Sequence, residues 1–396
     1  VTAEPERHEG DLGHRGTLPT GAELADRARE VLEAAWRDDP PGGFCVPNAD
    51  TYPWQWLWDS CFHAVVWAHL GDDRALVELA TSLRAQDADG FVPHIRYGRG
   101  PYPHEAFWGR RDASAVTQPP MYGHAVAELT RLGFTVPDEV ADSARRGLRF
   151  LLLRRARSAA GLVELCHPWE SGCDDSPRWD SALPRGSTWY EHKGHLLATI
   201  ERTPGGAPMR NPAFPVASAG FNALVAWNAR ELLTVAADDE LRAGADELAD
   251  ALDTRWDAEL LTWLDDGPTA RTSGRVRTLD ALLPLLLHPR PEAFATLTEP
   301  TAFGAECGPR GVHVGEPTFH PTAYWRGPAW PQLTYLLWLA AMSSVNSRTT
   351  ASALARSMVT GAVRSRFSEY WDAATGDPLG ASPQSWSTLA VVVQPQ

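Results

Sequence analysis

The sequence predicts an all-α fold in which helical hairpins close into a ring. About eleven segments of the 396-residue chain place apolar residues on one helical face, and convincing alternating segments are nearly absent. Short links between helices also alternate with long links rich in Trp, Gly and Pro. That is the pattern of paired helices, and six pairs would make a toroid.

Residues 23–36 carry Leu24, Ala28, Val31, Leu32 and Ala35 along one face. Residues 60–70 end at Gly71, a helix stop signal, and residues 73–85 resume with Leu76, Leu79 and Leu83. Residues 121–132 follow Pro119 and Pro120 and stop at Gly133. Further helices are expected over 138–154, 221–237, 240–260, 278–288, 331–342, 350–365 and 385–393, with a strand at 391–393 as the alternative. The long links are 41–59, 86–120, 164–220, 303–330 and 366–385. Long links in a compact fold usually carry function, and 164–220 is the best candidate for a lid or insert. Residues 1–21 are polar and read as a flexible arm, and no linker divides 22–396 into separate domains.

Composition narrows the function. Fifty acidic residues against 36 basic ones give a net charge of −14, which argues against nucleic acid and anionic membranes as partners. No run of about 18 apolar residues is present to span a bilayer. Five widely spaced cysteines without a CxxC pair fit neither a disulfide framework nor a zinc site, so a cytoplasmic enzyme is expected. His192 and His195 lie three apart, but no nearby Cys or carboxylate completes a metal site. Nucleotide-binding and serine or zinc hydrolase motifs are absent, and neither a metal nor a cofactor is expected. Seventeen Trp stand against 8 Tyr and 12 Phe, and many sit in polar, Pro/Gly-rich stretches rather than among aliphatic residues. An indole flanked by hydrogen-bonding groups suits the apolar face and hydroxyl edge of a small carbohydrate.

Four segments carry candidate chemistry. Residues 167–180 hold four carboxylates, Glu170, Asp174, Asp175 and Asp180, beside Trp169 and Trp179. Aromatic walls desolvate a carboxyl and keep it protonated, as a general acid requires. Residues 367–386 place Glu369 before Tyr370 and Trp371, with a turn at 375–378, so that a carboxylate could orient a water. Residues 324–330 set Arg326 among Tyr324, Trp325, Gly327 and Trp330, where it could hold a carboxylate or a sugar hydroxyl. Residues 52–59 gather Tyr52, Trp56, Trp58 and Asp59, with Asp59 placed either to cap the next helix or to bind sugar hydroxyls.

Taken together, WQWLWDSCF at 54–62, DGFVPH at 89–94, TQPP at 117–120, WESGCDDSPRWD at 169–180, YWRGPAWP at 324–331 and EYWDAATGDPLG with QSW near the end resemble glycoside hydrolase family 63, in particular its bacterial glucosylglycerate and mannosylglycerate hydrolases. The resemblance implies an (α/α)6 barrel and an inverting mechanism. It assigns the general acid to Asp174, the first acid after Gly172, and the general base to Glu369. It implies sugar contacts from Tyr52, Trp56, Trp58, Asp59, Gln118, Trp169, Trp325, Gly327, Trp330 and Gln384. An inverting pair should stand roughly 6.5–9.5 Å apart and a retaining pair about 5–5.5 Å.

Three departures are present. Cys173 replaces a usual Met. Asp175 replaces a usual Asn, which should raise the pKa of Asp174 or make the two share a proton. Residues 181–215 do not match the loop that holds an acidic leaving group, although Arg185, Lys193, Arg202 and Arg210 offer charge there. The expected function is hydrolysis of a small α-glucoside or α-mannoside, such as glucosylglycerate or a short oligosaccharide. A sugar-binding protein without turnover and a terpenoid-cyclase-like α-barrel are the alternatives. Gln118, Arg326 and Glu369 beside the Trp residues weigh against the apolar pocket of a cyclase, and retention of both carboxylates weighs against a binder.

Overall fold

The computed structural model describes residues 18–98, 104–182 and 189–393, the side chains of 189 and 190 excepted. Most of the expected N-terminal arm and the cation Arg185 lie outside these residues. Among the described residues, twelve helical elements build the ring. They are α1 (Gly21–Ala35), α2 (Leu57–His69), α3 (Arg74–Ser82), α4 (Tyr122–Arg131), α5 (Asp138–Leu153), α6 (Ala219–Leu232), α7 (Asp239–Asp253), α8 (Asp280–Leu286), α9 (Pro291–Thr296), α10 (Pro331–Ser343), α11 (Arg348–Arg364) and α12 (Ser385–Val391). The even-numbered elements touch in order from α2 to α12, and α12 closes back on α2. The odd-numbered elements pack outside them: α3 on α2, α5 on α4 and α6, α7 on α6, α9 on α8, α11 on α10, and α1 on α12. This is an (α/α)6 barrel, as expected.

Burial explains which helix goes where. Every residue of α2 from Leu57 to Ala68 is buried, because an inner helix has neighbours on all sides. By contrast, α1 buries only the stripe Leu24, Ala28, Leu32 and Ala35. Its start is fixed by a capping box, in which the Thr20 side chain accepts from the Glu23 N–H and Glu23 accepts from the Thr20 N–H.

Several expected boundaries move. The helix expected at 60–70 begins at Leu57, with Trp56 at its cap position. Asp59 therefore lies inside the first turn and does not cap the helix. The helix expected over 240–260 stops at Asp253, and Trp256–Asp257 pairs with Thr262–Trp263 as a hairpin. The Asp257 carboxylate accepts the N–H groups of Glu259 and Leu260 at 3.0 Å, which makes a turn where a helix was expected. The segment expected at 278–288 is a 3-10 helix containing Pro284, whose missing N–H cannot serve an α-helical ladder. The last helix is also 3-10, and no strand forms at 391–393. Within the long link 164–220, Trp189–Ala198 is helical and Glu201–Arg202 pairs with Pro208–Arg210.

The seam between α12 and α2 is polar and fully buried. Ser385 Oγ lies 2.6 Å from His63 Nε2, and His63 Nδ1 lies 3.5 Å from Glu78 Oε1. Glu78, on α3, also accepts from Ser60 Oγ at 2.6 Å and from the Cys45 N–H at 2.6 Å. Glu78→Ala would strand these buried donors, so it should lower the unfolding free energy by about 3–5 kcal/mol in urea titrations. A loss below about 1 kcal/mol would show that the seam does not depend on this carboxylate.

Candidate active site

The links that feed the inner helices meet at one mouth of the ring. The link before α2 contributes Pro47, Tyr52 and Trp56, and the first turn of α2 adds Trp58 and Asp59. Gln118 precedes α4, Gly172 and Asp174 precede α6, and Tyr324 and Trp325 precede α10. Glu369 and Gln384 precede α12, and Trp386 lies in its first turn. Together they line one pocket that is open to solvent.

Each carboxyl group is held differently. Glu369 is buried; its Oε1 accepts from the Tyr52 hydroxyl at 3.2 Å and its Oε2 from the Ala381 N–H at 3.0 Å. Burial raises its pKa and these two donors counteract the rise. The backbone around it is equally constrained. Trp386 Nε1 donates to the Glu369 carbonyl at 2.9 Å, and the hairpin of Tyr370–Trp371 with Pro378–Leu379 follows directly. Gly380, at φ +70°, is forced here because a Cβ would come within 2.4 Å of Glu369 Oε2. Asp174 is pushed up to about 7 by burial, against the pull of Lys193 and with help from Glu369 and Asp175. Gly172, at φ +74°, lets the Trp58 ring pass where a Cβ would approach it to 2.6 Å. Asp59 is buried, its Oδ1 has no protein partner, and burial drives its pKa well above the ordinary range.

Three other polar atoms on the pocket walls also lack protein partners: Trp56 Nε1, Trp325 Nε1 and Gln384 Oε1. Buried polar atoms are nearly always paired. Four orphans around one pocket, mixing donors and acceptors, fit a ligand that offers several hydroxyls.

The site residues expected from sequence do not all face the pocket. Trp330 stacks beneath Trp325, with ring centroids 3.5 Å apart and planes 4° from parallel, and so supports the wall from behind. Gly327 packs against the His320 backbone, with no room for a Cβ. Arg326 binds Asp180 through two 2.7 Å hydrogen bonds and reaches Asp175 at 3.4 Å, so its carboxylate partners belong to its own chain. Asp175, held beside this guanidinium, is one contributor to the raised pKa of Asp174. Glu170 forms a buried pair with Arg155 at 2.7 Å and accepts from the Cys166 N–H. Trp179 is a core anchor whose Nε1 donates to the Cys173 carbonyl at 2.8 Å. Of the four acids at 167–180, only Asp174 lines the pocket.

Trp169 lines an adjoining chamber with Trp56, His94, Ile95, Trp108, Gln118 and Asp174. Sequence reasoning left Pro47, His94, Trp108 and Trp386 out of the site. His94 and Trp386 carried a signal, since both lie in segments that resemble the family, DGFVPH at 89–94 and QSW near the end. Of the cations proposed to hold an anion, Arg210 pairs with Glu201 and Arg202 Nη1 donates to the Ala115 carbonyl, whereas Lys193 Nζ lies 5.1 Å from the Trp169 ring centroid.

Among the described residues one group could hold a metal, Cys45 with His63 and Glu78, and all three are engaged within the protein. The thiol donates to the Leu32 carbonyl, and the other two belong to the seam network.

Known proteins resemble this chain in sequence and fold. Residues 52–387 match the mannosylglycerate hydrolase MGH1-like glycoside hydrolase domain. The chain is 30% identical to a mannosylglycerate hydrolase of Thermus thermophilus, over 91% of this chain and 98% of the relative. It is 28% identical to a glucosylglycerate hydrolase of Mycolicibacterium hassiacum, over 94% and 98%. The fold superposes on a crystal structure of a family 63 mannosylglycerate hydrolase from Thermus thermophilus in complex with Tris and D-glycerate, with a TM-score of 0.81 at 28% identity, covering 93% of this chain and 99% of that one.

The electrostatics can be read directly by carboxyl-carbon NMR of protein labelled at aspartate, with Asp174→Asn identifying the resonance. Asp174 should titrate near pH 7, against 3.8 for an ordinary aspartate, and Lys193→Met should move the midpoint upward. A midpoint near 4, or a downward move in the variant, would contradict this account.

Proposed function

The chain belongs to the mannosylglycerate hydrolase MGH1-like glycoside hydrolases, and from that membership we propose that it hydrolyses a small α-glucoside or α-mannoside with inversion, Asp174 acting as general acid and Glu369 as general base. The protein is a glycoside hydrolase, so a cyclase and a binder without turnover no longer compete with this reading. The substrate proposed is a hexose α-linked to a small partner, of which glycerate, named in the relatives, is the first to test.

The observation that carries the proposal is the contrast between the two carboxyls facing one pocket. Asp174, desolvated and pushed up to about 7, retains its proton into the neutral range. Glu369 receives two hydrogen bonds that favour its ionised form. In single displacement, Asp174 gives its proton to the glycosidic oxygen as the C1–O bond breaks. Glu369 takes a proton from a water while that water oxygen bonds to C1 from the opposite face. Positive charge builds at C1 and the ring oxygen in the transition state. The products are the β-anomer of the free sugar and the alcohol. The wall atoms Asp59 Oδ1, Trp56 Nε1, Trp325 Nε1 and Gln384 Oε1 supply hydrogen-bonding groups for the sugar hydroxyls, and the indoles pack on its C–H faces.

Residues 22–396 are proposed to act as one catalytic domain, with 181–215 as an insert beside the leaving-group side. A cytoplasmic setting is proposed on the five buried cysteines, all free.

Anomer-resolved NMR of the purified protein with glucosylglycerate and mannosylglycerate tests the mechanism. The β-sugar should appear first, and Asp174→Asn and Glu369→Gln should each slow its release by about 10²–10⁴-fold. Release of the α-anomer first would overturn inversion and the role of Glu369.

The pH profile gives a second check. The acid must be protonated, so kcat/KM should fall as pH rises through the Asp174 value near 7. The base must be ionised, so kcat/KM should also fall as pH drops through the raised value of Glu369. A profile flat from pH 6 to 9 would rule out Asp174 as the acid.

A further inference from the structure

The ring has a second mouth. The pocket described above lies on the side where α4, α6 and α10 begin, and a separate cleft, open to solvent, lies where the same three helices end. The ten residues of α4 put about 15 Å of helix between the two. His124 and Trp227 form the floor of this rear cleft; both are buried, with ring centroids 4.7 Å apart. His124 has no ring nitrogen to spare, since Nδ1 lies 2.9 Å from Glu231 Oε2 and Nε2 lies 2.8 Å from the Tyr335 hydroxyl. Trp227 differs. It is only 9% exposed, yet its Nε1 meets no acceptor among the described residues. A buried indole N–H usually finds a partner, and the cleft is the open space beside this one.

The rim supplies mainly acceptors. Thr130 Oγ1 donates to the Val126 carbonyl at 2.8 Å, Thr234 Oγ1 to the Glu231 carbonyl at 2.7 Å, and Ser343 Oγ to the Leu339 carbonyl at 2.9 Å. Each hydroxyl has spent its only hydrogen on its own helix and keeps lone pairs for a ligand. Glu231 takes both its protein donors, Arg131 and His124, on Oε2, so Oε1 is open as well. Charge completes the picture. The Arg131 guanidinium is shared between Glu128 and Glu231, and three helix C-termini add partial negative charge.

We infer that the rear cleft is a second, non-catalytic binding site for a neutral sugar or polyol, whose C–H face lies on Trp227 and whose hydroxyls accept from Trp227 Nε1 and donate to Glu231 Oε1 and the rim hydroxyls. Other classes fit less well. An anion meets surplus carboxylate and helix C-termini. An alkylammonium donates to the rim but cannot accept from Trp227 Nε1, and an apolar ligand leaves every one of these groups unpaired. The inference does not rest on the reaction proposed above.

The test is fluorine NMR of the full-length protein labelled with 5-fluorotryptophan, in which Trp227→Phe identifies the Trp227 signal. Glucose should shift that signal saturably at millimolar concentration. Gluconate, which keeps the hydroxyls and adds a carboxylate, and methylammonium, which donates without accepting, should both shift it less at equal concentration. Thr234→Val removes one exposed rim acceptor and should raise the glucose midpoint about threefold, and Glu231→Gln should raise it about tenfold. Hydrolytic kcat/KM in Thr234→Val should stay at the unmodified value.

Glucose held only in the front pocket is the competing explanation, because the rings of Trp58, Phe62, Tyr335 and His124 touch in series between the two mouths. Asp59→Asn separates the two, since it alters the front pocket alone and should leave the Trp227 midpoint unchanged. A midpoint that moves with Asp59→Asn and not with Thr234→Val would overturn the inference. So would a signal unmoved by glucose and mannose, or a response to gluconate or methylammonium as strong as that to glucose.

Discussion

Closure of the ring between α12 and α2 is the constraint on which the rest depends. The two helices lie at opposite ends of the chain, and the link before each brings essential walls of the pocket. Tyr52, which donates to Glu369, comes from the first link, and Glu369 comes from the last. A ring left open at this seam would separate the carboxylate from its donor and from Asp59. The seam is held by side chains that cannot reach water: Ser385, His63 and Glu78 form a buried line from α12 through α2 to the outer helix α3. Such a network fixes one register because each member, if displaced, becomes an unsatisfied buried group. Ser385 lies between Gln384 and Trp386, and His63 lies one helical turn beyond Asp59. The network therefore sets the pocket walls directly.

Once the ring is closed, its mouth collects three carboxyls, Asp59, Asp174 and Glu369, around a small volume. Ionising all three there would be costly. Their surroundings separate them. Asp59 lacks a protein partner on Oδ1 and is driven well upward. Asp174 is raised to about 7 with Lys193 opposing the rise. Glu369 alone among them has both oxygens occupied by donors from the protein. The proposed division between acid and base thus rests on hydrogen-bond inventory rather than on residue type.

The helical plan was legible because burial writes itself into sequence. The stripe of α1 and the continuously apolar α10 look different, and they occupy the outer and inner layers accordingly. Where the reading failed, a local competitor won. Asp257 turned the chain before 260, and Pro284 converted the expected α-helix into a 3-10 helix. Within the site, the segments holding Asp174 and Glu369 stood out because acids beside Trp and Gly are unusual on a solvated loop, but only the family resemblance picked Asp174 from the three acids near it. Sequence adjacency could not tell which side of a link faces inward. In the run 324–330, Tyr324 and Trp325 face the pocket while Trp330 stacks behind them and Arg326 turns to Asp180. His94 was missed for the opposite reason. It closes a segment already matched to the family, but only the tertiary fold brings three indoles around it.

Arg326 shows how a departure from a family pattern can be absorbed. An acid at position 175 places a second charge beside Asp174, which by itself would drive the acid further upward and weaken its ability to give up a proton. The guanidinium binds Asp180 bidentately and reaches Asp175 with the same Nη2. The added charge thus faces a fixed cation on one side and Lys193 acts on Asp174 from another. Asp174 is left near neutrality, the range that suits the general-acid role proposed for it. The substitution and the arginine therefore act as one unit. Changing either alone should shift the acid, whereas changing both to neutral residues should leave it closer to its present value.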